Sequence, residues 1–303
     1  MINIVFMGTP KIALKSLEYL FNSDRINVLA VVTQPDKPSG RGQKMTMSPI
    51  KEFAVEHNIK VFQPKSLRKS PEIIEELKNL KPDFFVTFAF GQILSQEVLD
   101  IPKYETINLH ASLLPKYRGA NPIQRAIING EKETGICTMI TELGLDCGDV
   151  CMREVIDIGE ETTCCDLFDE ISKKSPQLIE ETLIGIVENS VKPQKQCEDG
   201  VCFADKLTKE ETCIDWTKDA KSINNLIRGI CRFPCAYFNY NGKIIKVLKA
   251  KVLSGCGKPG EFICKNKDGI EVACGSGSLL LITVKPEGKG EMSAAAWANG
   301  IKF

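Results

Sequence analysis

The sequence predicts an α/β domain followed by a smaller β-rich module. Two apolar runs, from Ile2 to Met7 and from Val28 to Thr33, have the continuous pattern of strands buried on both faces of a parallel sheet. An amphipathic segment from about Lys11 to Phe21 lies between them, and Asp83 to Phe90 repeats the strand pattern. This alternation indicates a right-handed βαβ series, and therefore a Rossmann-like, mostly parallel sheet.

The turn after the first strand, Gly8-Thr9-Pro10, lacks the Gly-x-Gly-x-x-Gly spacing that lets a backbone approach a pyrophosphate, so no dinucleotide is expected. Prolines and glycines between positions 34 and 49 predict an irregular loop. This loop is basic, with no acid between positions 37 and 51. It is either a functional excursion or a solvated surface loop, and the residues alone leave both open.

The second half predicts a linker and a second domain. A long helix from Glu160 to Glu188, interrupted at Pro176, closes the first domain, and the polar stretch after it lacks periodicity. We expect domains at residues 1–189 and 208–303 with a linker at 190–207. In the second domain a helix from Ala220 to Ile230 precedes five short strands split by turns, which predicts a small β-barrel of the oligonucleotide-binding (OB-like) kind. The expected strands are 237–239, 244–252, 261–264, 270–274 and 279–284.

Composition restricts the class of protein. No uninterrupted apolar run among the 303 residues approaches the roughly 20 that a membrane span needs, and Met1 leads directly into a strand, so a cytoplasmic protein without a targeting segment is expected. Residues 1–207 carry 24 basic and 30 acidic side chains, and residues 208–303 carry 15 and 9, giving net charges of −6 and +6. A basic second domain suits RNA, although an imbalance of this size is also ordinary.

Thirteen cysteines are many, but none has Cys-x-x-Cys spacing, and only two histidines are present. We therefore expect reduced thiols that pack as small apolar residues, with no disulfide framework and no metal.

The candidate chemistry lies between Thr106 and Asp149. The run from Thr106 to His110 alternates like a strand, which places Asn108 and His110 on one face. Asn121-Pro122 then starts a helix, residues 135–141 form another strand, and Asp146 follows in a glycine-rich loop. Ligands of open α/β sheets bind at the carboxyl ends of the strands. The alternative to a catalytic role is that His110 is a core histidine and that the glycine-rich loop is an ordinary turn. The other histidine, His57, is expected in an amphipathic helix at residues 49–58, so imidazole chemistry would fall to His110.

These residues carry a resemblance that runs nearly the whole length of the chain. The segments Asn-Leu-His-Ala-Ser-Leu-Leu-Pro (108–115), Tyr-Arg-Gly (117–119), Pro-Ile-Gln (122–124), Thr-Gly (134–135) and Gly-Leu-Asp-Cys-Gly-Asp (144–149) resemble the formyltetrahydrofolate-dependent formyltransferases, most of all the branch that acts on methionyl-tRNA. Cys147, Asn224 and Cys235 depart from the usual family residues, but none of them belongs to the catalytic set.

The resemblance implies an enzyme that moves a formyl group from 10-formyltetrahydrofolate to initiator methionyl-tRNA, without a metal. It implies Asn108 and His110 as oxyanion donors and Asp146 as the residue that orients His110 and assists loss of the amine proton. A nearby carboxylate would also favour the charged imidazolium. The implied folate-binding residues are Phe88, Ala89, Phe90, Gly91, Ser112, Leu113, Leu114 and Pro115.

The implied tRNA-binding residues are Arg41, Lys44, Lys206, Lys243, Lys249 and Lys251. The last three have the same strand parity, which predicts one basic face. A monomer is expected. The alternatives are a formyltransferase acting on a small amine, such as glycinamide ribonucleotide or an amino sugar, a nucleotide-dependent oxidoreductase, and a protein that only binds nucleic acid.

Overall fold

The structure, a computed structural model, describes residues 1–39, 44–232 and 234–299, without the side chains of residues 39 and 44. The chain packs into two compact units. The first comprises Met1–Gly119, Gly135–Ile156 and Phe168–Phe203, and the second comprises Ala120–Thr134, Asp157–Leu167 and Ala204–Phe303. Two short segments before residue 168 therefore pack with the second unit. The expected boundaries at 189 and 208 stay a prediction.

The secondary structure up to residue 204 alternates strands and helices. The strands are β1 (Ile2–Gly8), β2 (Ile26–Val32), β3 (Lys37–Ser39), β4 (Lys44–Thr46), β5 (Lys60–Phe62), β6 (Phe84–Phe88), β7 (Glu105–His110), β8 (Arg118–Gly119), β9 (Glu133–Ile140), β10 (Val150–Asp157) and β11 (Phe203–Ala204). The helices are α1 (Leu14–Phe21), α2 (Pro49–Glu56), α3 (Pro71–Asn79), α4 (Gln96–Leu99), α5 (Pro122–Ile128) and α6 (Cys164–Val187), with 3-10 turns at Lys11–Ala13 and Leu67–Lys69.

The central sheet has the strand order β10-β9-β7-β6-β1-β2-β5. The five strands from β7 to β5 in this order run parallel, and β9 pairs antiparallel with β7. The prediction of a Rossmann-like, mostly parallel sheet is confirmed. Strands β6 and β7 lie side by side with Thr87 opposite Asn108, so the carboxyl end of β7 emerges next to that of β6.

The core of the first unit lies on both faces of this sheet. Phe6, Phe84 and Phe85 are completely buried, and Phe85 contributes to a cluster with Val5, Met7 and residues of α3. Burial of each phenylalanine contributes up to about 3 kcal/mol. The continuous apolar runs of β1 and β6 follow from this arrangement, because parallel strands are covered on both sides.

Two expectations about irregular structure are wrong. Proline and glycine were expected to prevent regular structure between positions 34 and 49, but β3 and β4 pair as an antiparallel ribbon with Pro38 opposite Met45. A two-stranded ribbon has only edge strands, where a missing N–H is tolerated. Helix α6 continues through Pro176 without interruption. The lost hydrogen bond is offset by burial on both sides of Pro176, at Ile171, Ile179 and Leu183.

The segment after α6 is ordered against the first unit. Gln194 exchanges two backbone hydrogen bonds with Val150, both of 2.8 Å. Gln196 is only 6% exposed. This part of the segment expected as a linker therefore contributes to the packing of the first unit.

The second unit is rich in antiparallel sheet. Its remaining elements are a 3-10 turn at Glu210–Thr212, α7 (Ala220–Gly229), β12 (Ala236–Tyr240), β13 (Lys243–Leu253), β14 (Phe262–Lys265), β15 (Ile270–Ala273), β16 (Ser278–Pro286), β17 (Met292–Ser293) and α8 (Ala294–Ala298). The sheet order is β12-β13-β16-β15-β14, with β17 also paired to β16. The expected helix and all five expected strands are confirmed, and the unit is a small barrel-like module around one apolar cluster.

Candidate active site

His110 ends β7 and is 5% exposed. Its Nε2 atom lies 2.8 Å from the carbonyl oxygen of Tyr117. Because a carbonyl can only accept, the Nε2–H donates to it, and this bond fixes which ring nitrogen carries the proton when the ring is neutral. In the neutral ring the Nδ1 atom is then the nitrogen without a hydrogen.

Asp146 faces that second nitrogen. Its Oδ2 atom lies 3.6 Å from His110 Nδ1 and accepts a hydrogen bond of 2.8 Å from the backbone N–H of Gly119. With the carbonyl of Tyr117 on the other nitrogen, the ring stands between two acceptors, and only the imidazolium has a proton for each. A distance of 3.6 Å is longer than a full hydrogen bond. An Nδ1–H proton could therefore also be shared with a third group.

Asn108 lies two residues before His110 on the same strand and is partly buried. Its Oδ1 atom accepts a hydrogen bond of 2.8 Å from the hydroxyl of Thr87, the residue opposite it on β6. Within the described residues no group accepts from the Asn108 amide nitrogen. The Thr87 contact therefore directs the Asn108 side chain so that its NH₂ is the available end, and an NH₂ group is a donor suited to an oxyanion.

Gln196 holds the loop that carries Asp146. Its Nε2 atom donates to the carbonyl oxygens of Asp146 (2.9 Å) and Gly148 (2.8 Å). Its Oε1 atom accepts from Arg118 Nε (3.1 Å) and Nη2 (2.8 Å). The loop needs support, because Asp146 adopts a positive φ of 47° that is uncommon for residues with a side chain. Sequence reasoning missed both Gln196 and Thr87, since neither belongs to a local pattern.

The residues expected to bind folate divide into buried and accessible groups. The side chains of Phe88, Phe90 and Leu114 are at most 5% exposed and contribute to the core, so contacts with a ligand would come from the backbone. Ala89 and Gly91 are exposed, with positive φ angles of 50° and 77°. The Nε2 atom of Gln34, at 3.2 Å from the Phe90 carbonyl and 3.3 Å from that of Gly91, fixes this turn.

The second expected folate segment also has a defined conformation. Ser112 is buried, and its hydroxyl donates to the Lys116 carbonyl at 2.6 Å. Leu113 lies against Gly135, where a Cβ atom would come within 2.5 Å of Leu113 Cδ2. Leu113 and Pro115 are partly exposed, next to the turn that carries the Tyr117 carbonyl.

Two cavities of about 340 and 710 Å³ lie away from this set. The smaller is lined by Ile2, Asp83 and Tyr104, at the amino ends of the parallel strands, and the larger lies along α1 near Pro176. His110 ends its strand at the carboxyl edge. Neither cavity therefore contains the Asn108, His110 and Asp146 side chains.

The expected tRNA-binding residues are only partly covered by the structure. Arg41 lies outside the described residues, and only the backbone of Lys44 is described. Lys206 is exposed. Lys51, a cation in the first turn of α2, is paired at 2.6 Å with Asp36, which lies just outside the window that lacked acids.

The expectation that Lys243, Lys249 and Lys251 share one face is wrong. Strand β13 has register shifts on both sides of Lys249, so the side chains change faces there. Lys243 has the same strand parity as the buried residues Ile245 and Val247, whereas Lys249 and Lys251 flank the buried Ala250 and lie on the opposite face. On the face opposite the buried residues, Lys246 lies across from Lys285. Lys246, Lys249, Lys251 and Lys285 therefore form the outward-facing basic set of these two strands.

In the described part of the chain, no helix has both the length and the apolar composition needed to cross a membrane.

Comparison with known proteins identifies the family. The family model for formyl transferase matches residues 2–183, and the model for the formyl transferase C-terminal domain matches residues 206–302. The chain belongs to the formyl transferase family. A curated methionyl-tRNA formyltransferase from Clostridium novyi is 48% identical over 299 residues, which cover 98% of this chain and 96% of the relative. One from Citrifermentans bemidjiense is 45% identical, with 99% and 94% covered.

A solved structure also shares the fold of this formyl transferase. It is the N-formyltransferase from Helicobacter canadensis in complex with folinic acid and dTDP-3-aminofucose, which has a TM-score of 0.68 and 23% identity. The match covers 93% of this chain and 99% of that one.

Proposed function

We propose that this formyl transferase moves a formyl group from 10-formyltetrahydrofolate to the free amino group of initiator methionyl-tRNA. The observation that carries the proposal is the 48% identity over almost the full length of a methionyl-tRNA formyltransferase. It is joined to an amide and an imidazole at the end of β7 and a carboxylate in the loop between β9 and β10. A folate donor is further supported by the folinic acid in the related N-formyltransferase. Because the acceptor is made by the translation apparatus, we expect the chain to act in the cytoplasm.

The reaction requires stabilisation of a developing oxyanion. The amine nitrogen forms a bond to the formyl carbon, the carbonyl oxygen becomes negative, and the bond from that carbon to the folate nitrogen then breaks. One proton leaves the amine, and the departing folate nitrogen gains one. Hydrogen-bond donors that are fixed before the reaction stabilise such a charge most effectively. The NH₂ of Asn108 is free for this role, since Thr87 occupies only the oxygen of the amide.

His110 and Asp146 complete the proposed machinery. The Tyr117 carbonyl holds the Nε2–H of His110, so the ring would offer Nδ1–H to the oxyanion. Asp146, whose Oδ2 lies 3.6 Å from Nδ1, would orient the ring, and we assign its carboxylate as the base for the proton that leaves the amine. Asn108 and His110 lie two residues apart on the same face of β7, so both donors would approach the reacting carbonyl from one side.

The proposed tRNA contacts separate specificity from chemistry. Arg41, Lys44, Lys206 and the basic residues of the second unit would bind phosphates, for which an exposed lysine or arginine is suited. We include Lys246 and Lys285 with Lys249 and Lys251, because register places these four on the outward face of β13 and β16.

The test is formylation of competing acceptors by the purified chain. Labelled 10-formyltetrahydrofolate is offered with methionyl-tRNA, and separately with glycinamide ribonucleotide and a nucleotide-linked amino sugar. We expect label in the aminoacyl ester of the tRNA and none above background in the small amines. Transfer only to a small amine would contradict the proposal and favour the small-molecule formyltransferase.

A further inference from the structure

Three cysteines of the second unit converge although they come from distant parts of the sequence. Cys164 and Cys165 are the first residues of α6, and Cys231 follows α7. The sulfur of Cys231 lies 3.6 Å from that of Cys164 and 3.3 Å from that of Cys165, and the three sulfurs lie within 4.8 Å of one another. The formyl-transfer site does not involve them.

The segments that carry the thiols are held in place by polar contacts. Before α6, Thr163 and Asp166 form a reciprocal cap, in which the carboxylate accepts from the Thr163 N–H at 2.8 Å and the Asp166 N–H donates to the threonine hydroxyl at 3.3 Å. Arg228 on α7 donates to the carbonyls of Gly159 (3.0 Å) and Thr162 (2.7 Å). The start of α6 is thereby tied to the helix that leads into Cys231.

We propose that Cys164, Cys165 and Cys231 form a site for a thiophilic divalent cation, with zinc as the ion that fits best. In a tetrahedral zinc site, Zn–S bonds of about 2.3 Å place the sulfurs about 3.8 Å apart. The two closest pairs are already within about half an ångström of that spacing. Binding forms three Zn–S bonds, and each proton still on a sulfur is released to solvent. The fourth position is open to water or to another ligand.

Ordinary packing does not account for this geometry. Buried cysteines act as small apolar residues, and Cys137 and Cys274 are buried in this way. Three sulfur atoms within 4.8 Å of one another are instead a soft donor set that suits zinc. The sequence did not indicate the site, because no two of its ligands have the spacing of a zinc motif.

The experiment titrates Co²⁺ and Zn²⁺ into the full-length protein, reduced with a phosphine, at neutral pH. We expect one equivalent of Co²⁺ to produce sulfur-to-metal charge-transfer absorption and the intense visible bands of tetrahedral cobalt, and one equivalent of Zn²⁺ to remove both. Cys231→Ser and Cys165→Ser should each abolish the bands and weaken zinc binding by about 100-fold or more. Loss of a residue that only hydrogen-bonds to a metal ligand costs about 10- to 100-fold, so loss of a ligand itself should cost at least as much.

Cys256→Ser is the matched control, because Cys256 is exposed and outside the group, and it should leave cobalt spectra and zinc affinity unchanged. Far-UV circular dichroism checks that each variant is folded. Two results would overturn the proposal: absence of the tetrahedral cobalt spectrum in the wild-type protein, or an unchanged spectrum in both cluster variants. A Cys165–Cys231 disulfide that forms in air, with no metal bound by the reduced protein, would assign the group to redox chemistry instead.

Discussion

Replacing Gln196 by leucine should remove the hydrogen bonds that hold the loop carrying Asp146. The side chain makes four hydrogen bonds, two to the carbonyls of Asp146 and Gly148 and two from Arg118, in a place that is 6% exposed. Leucine fills much of the volume but leaves two carbonyls and one guanidinium without their partner. Each unsatisfied buried group costs about 1–3 kcal/mol. Allowing for water at the partly exposed Arg118, we expect a loss of about 3–5 kcal/mol in the free energy of unfolding.

The same change should lower activity through the position of Asp146. A displacement of about 1 Å at a catalytic group can cost about 100-fold in rate. We therefore expect kcat for formyl transfer to fall by about 10- to 100-fold while the KM for the folate donor stays near its original value. Unfolding is followed by far-UV circular dichroism, because the two tryptophans, Trp216 and Trp297, lie in the second unit.

Gln177→Leu is the matched control. Gln177 is exposed on α6 and makes one hydrogen bond, to Glu181, so its loss should change stability by less than about 0.5 kcal/mol and leave kcat unaltered. If Gln196→Leu behaved like this control in both measurements, the view that Gln196 positions the Asp146 loop would be refuted.

Three further predictions concern coupling, pH and tRNA. Losses of kcat in Asp146→Asn and His110→Ala should be strongly non-additive in the double variant, because the two side chains act as a unit; additive losses would mean separate roles. Burial above all raises the pKa of Glu105. The folded protein therefore keeps its full stability below about pH 4, where this carboxyl group is protonated, and loses part of it as pH rises and the buried group ionises. In thermal unfolding Glu105→Gln should accordingly be more stable than the wild type at neutral pH, by under about 1 kcal/mol, with no difference in acid; an equal gain at both pH values would contradict this. Arg41→Ala should reduce the slope of log affinity for tRNA against log salt by about 0.7–0.9, whereas the control Arg25→Ala, at a surface ion pair with Glu188, should not; an unchanged slope would remove Arg41 from the interface.

Sequence patterns predicted the elements whose signal is local. The buried parallel strands β1, β2 and β6 have continuous apolar runs, β7 alternates, and the helix α7 has clear periodicity, so all were found within a few residues. Strands β5 and β10 were missed. β5 has only three residues, and exposed positions of β10 carry charged side chains. Neither sequence therefore resembles a buried strand.

The errors and omissions arise from tertiary structure. The register shifts around Lys249 reverse the faces of a strand, and parity in the sequence cannot show a bulge. Gln196 contacts Asp146 from 50 positions away, and Cys231 meets Cys165 across 66 positions. Such contacts leave no periodic trace. Asn108 and His110 were accessible to sequence reasoning because they alternate on one strand and carry the family resemblance.

The most direct test of the proposed mechanism is the single-turnover rate of formyl transfer by Asn108→Asp. Aspartate keeps the shape of asparagine and the oxygen that accepts from Thr87, but it replaces the free NH₂ donor by an oxygen. Asn27→Asp, at an exposed position, is the control for the change in charge. We predict that the Asn108 variant binds the folate donor and methionyl-tRNA but transfers formyl at least about 100-fold more slowly, while the control is unaffected. A rate near that of the wild type would contradict the assignment of Asn108 as the oxyanion donor.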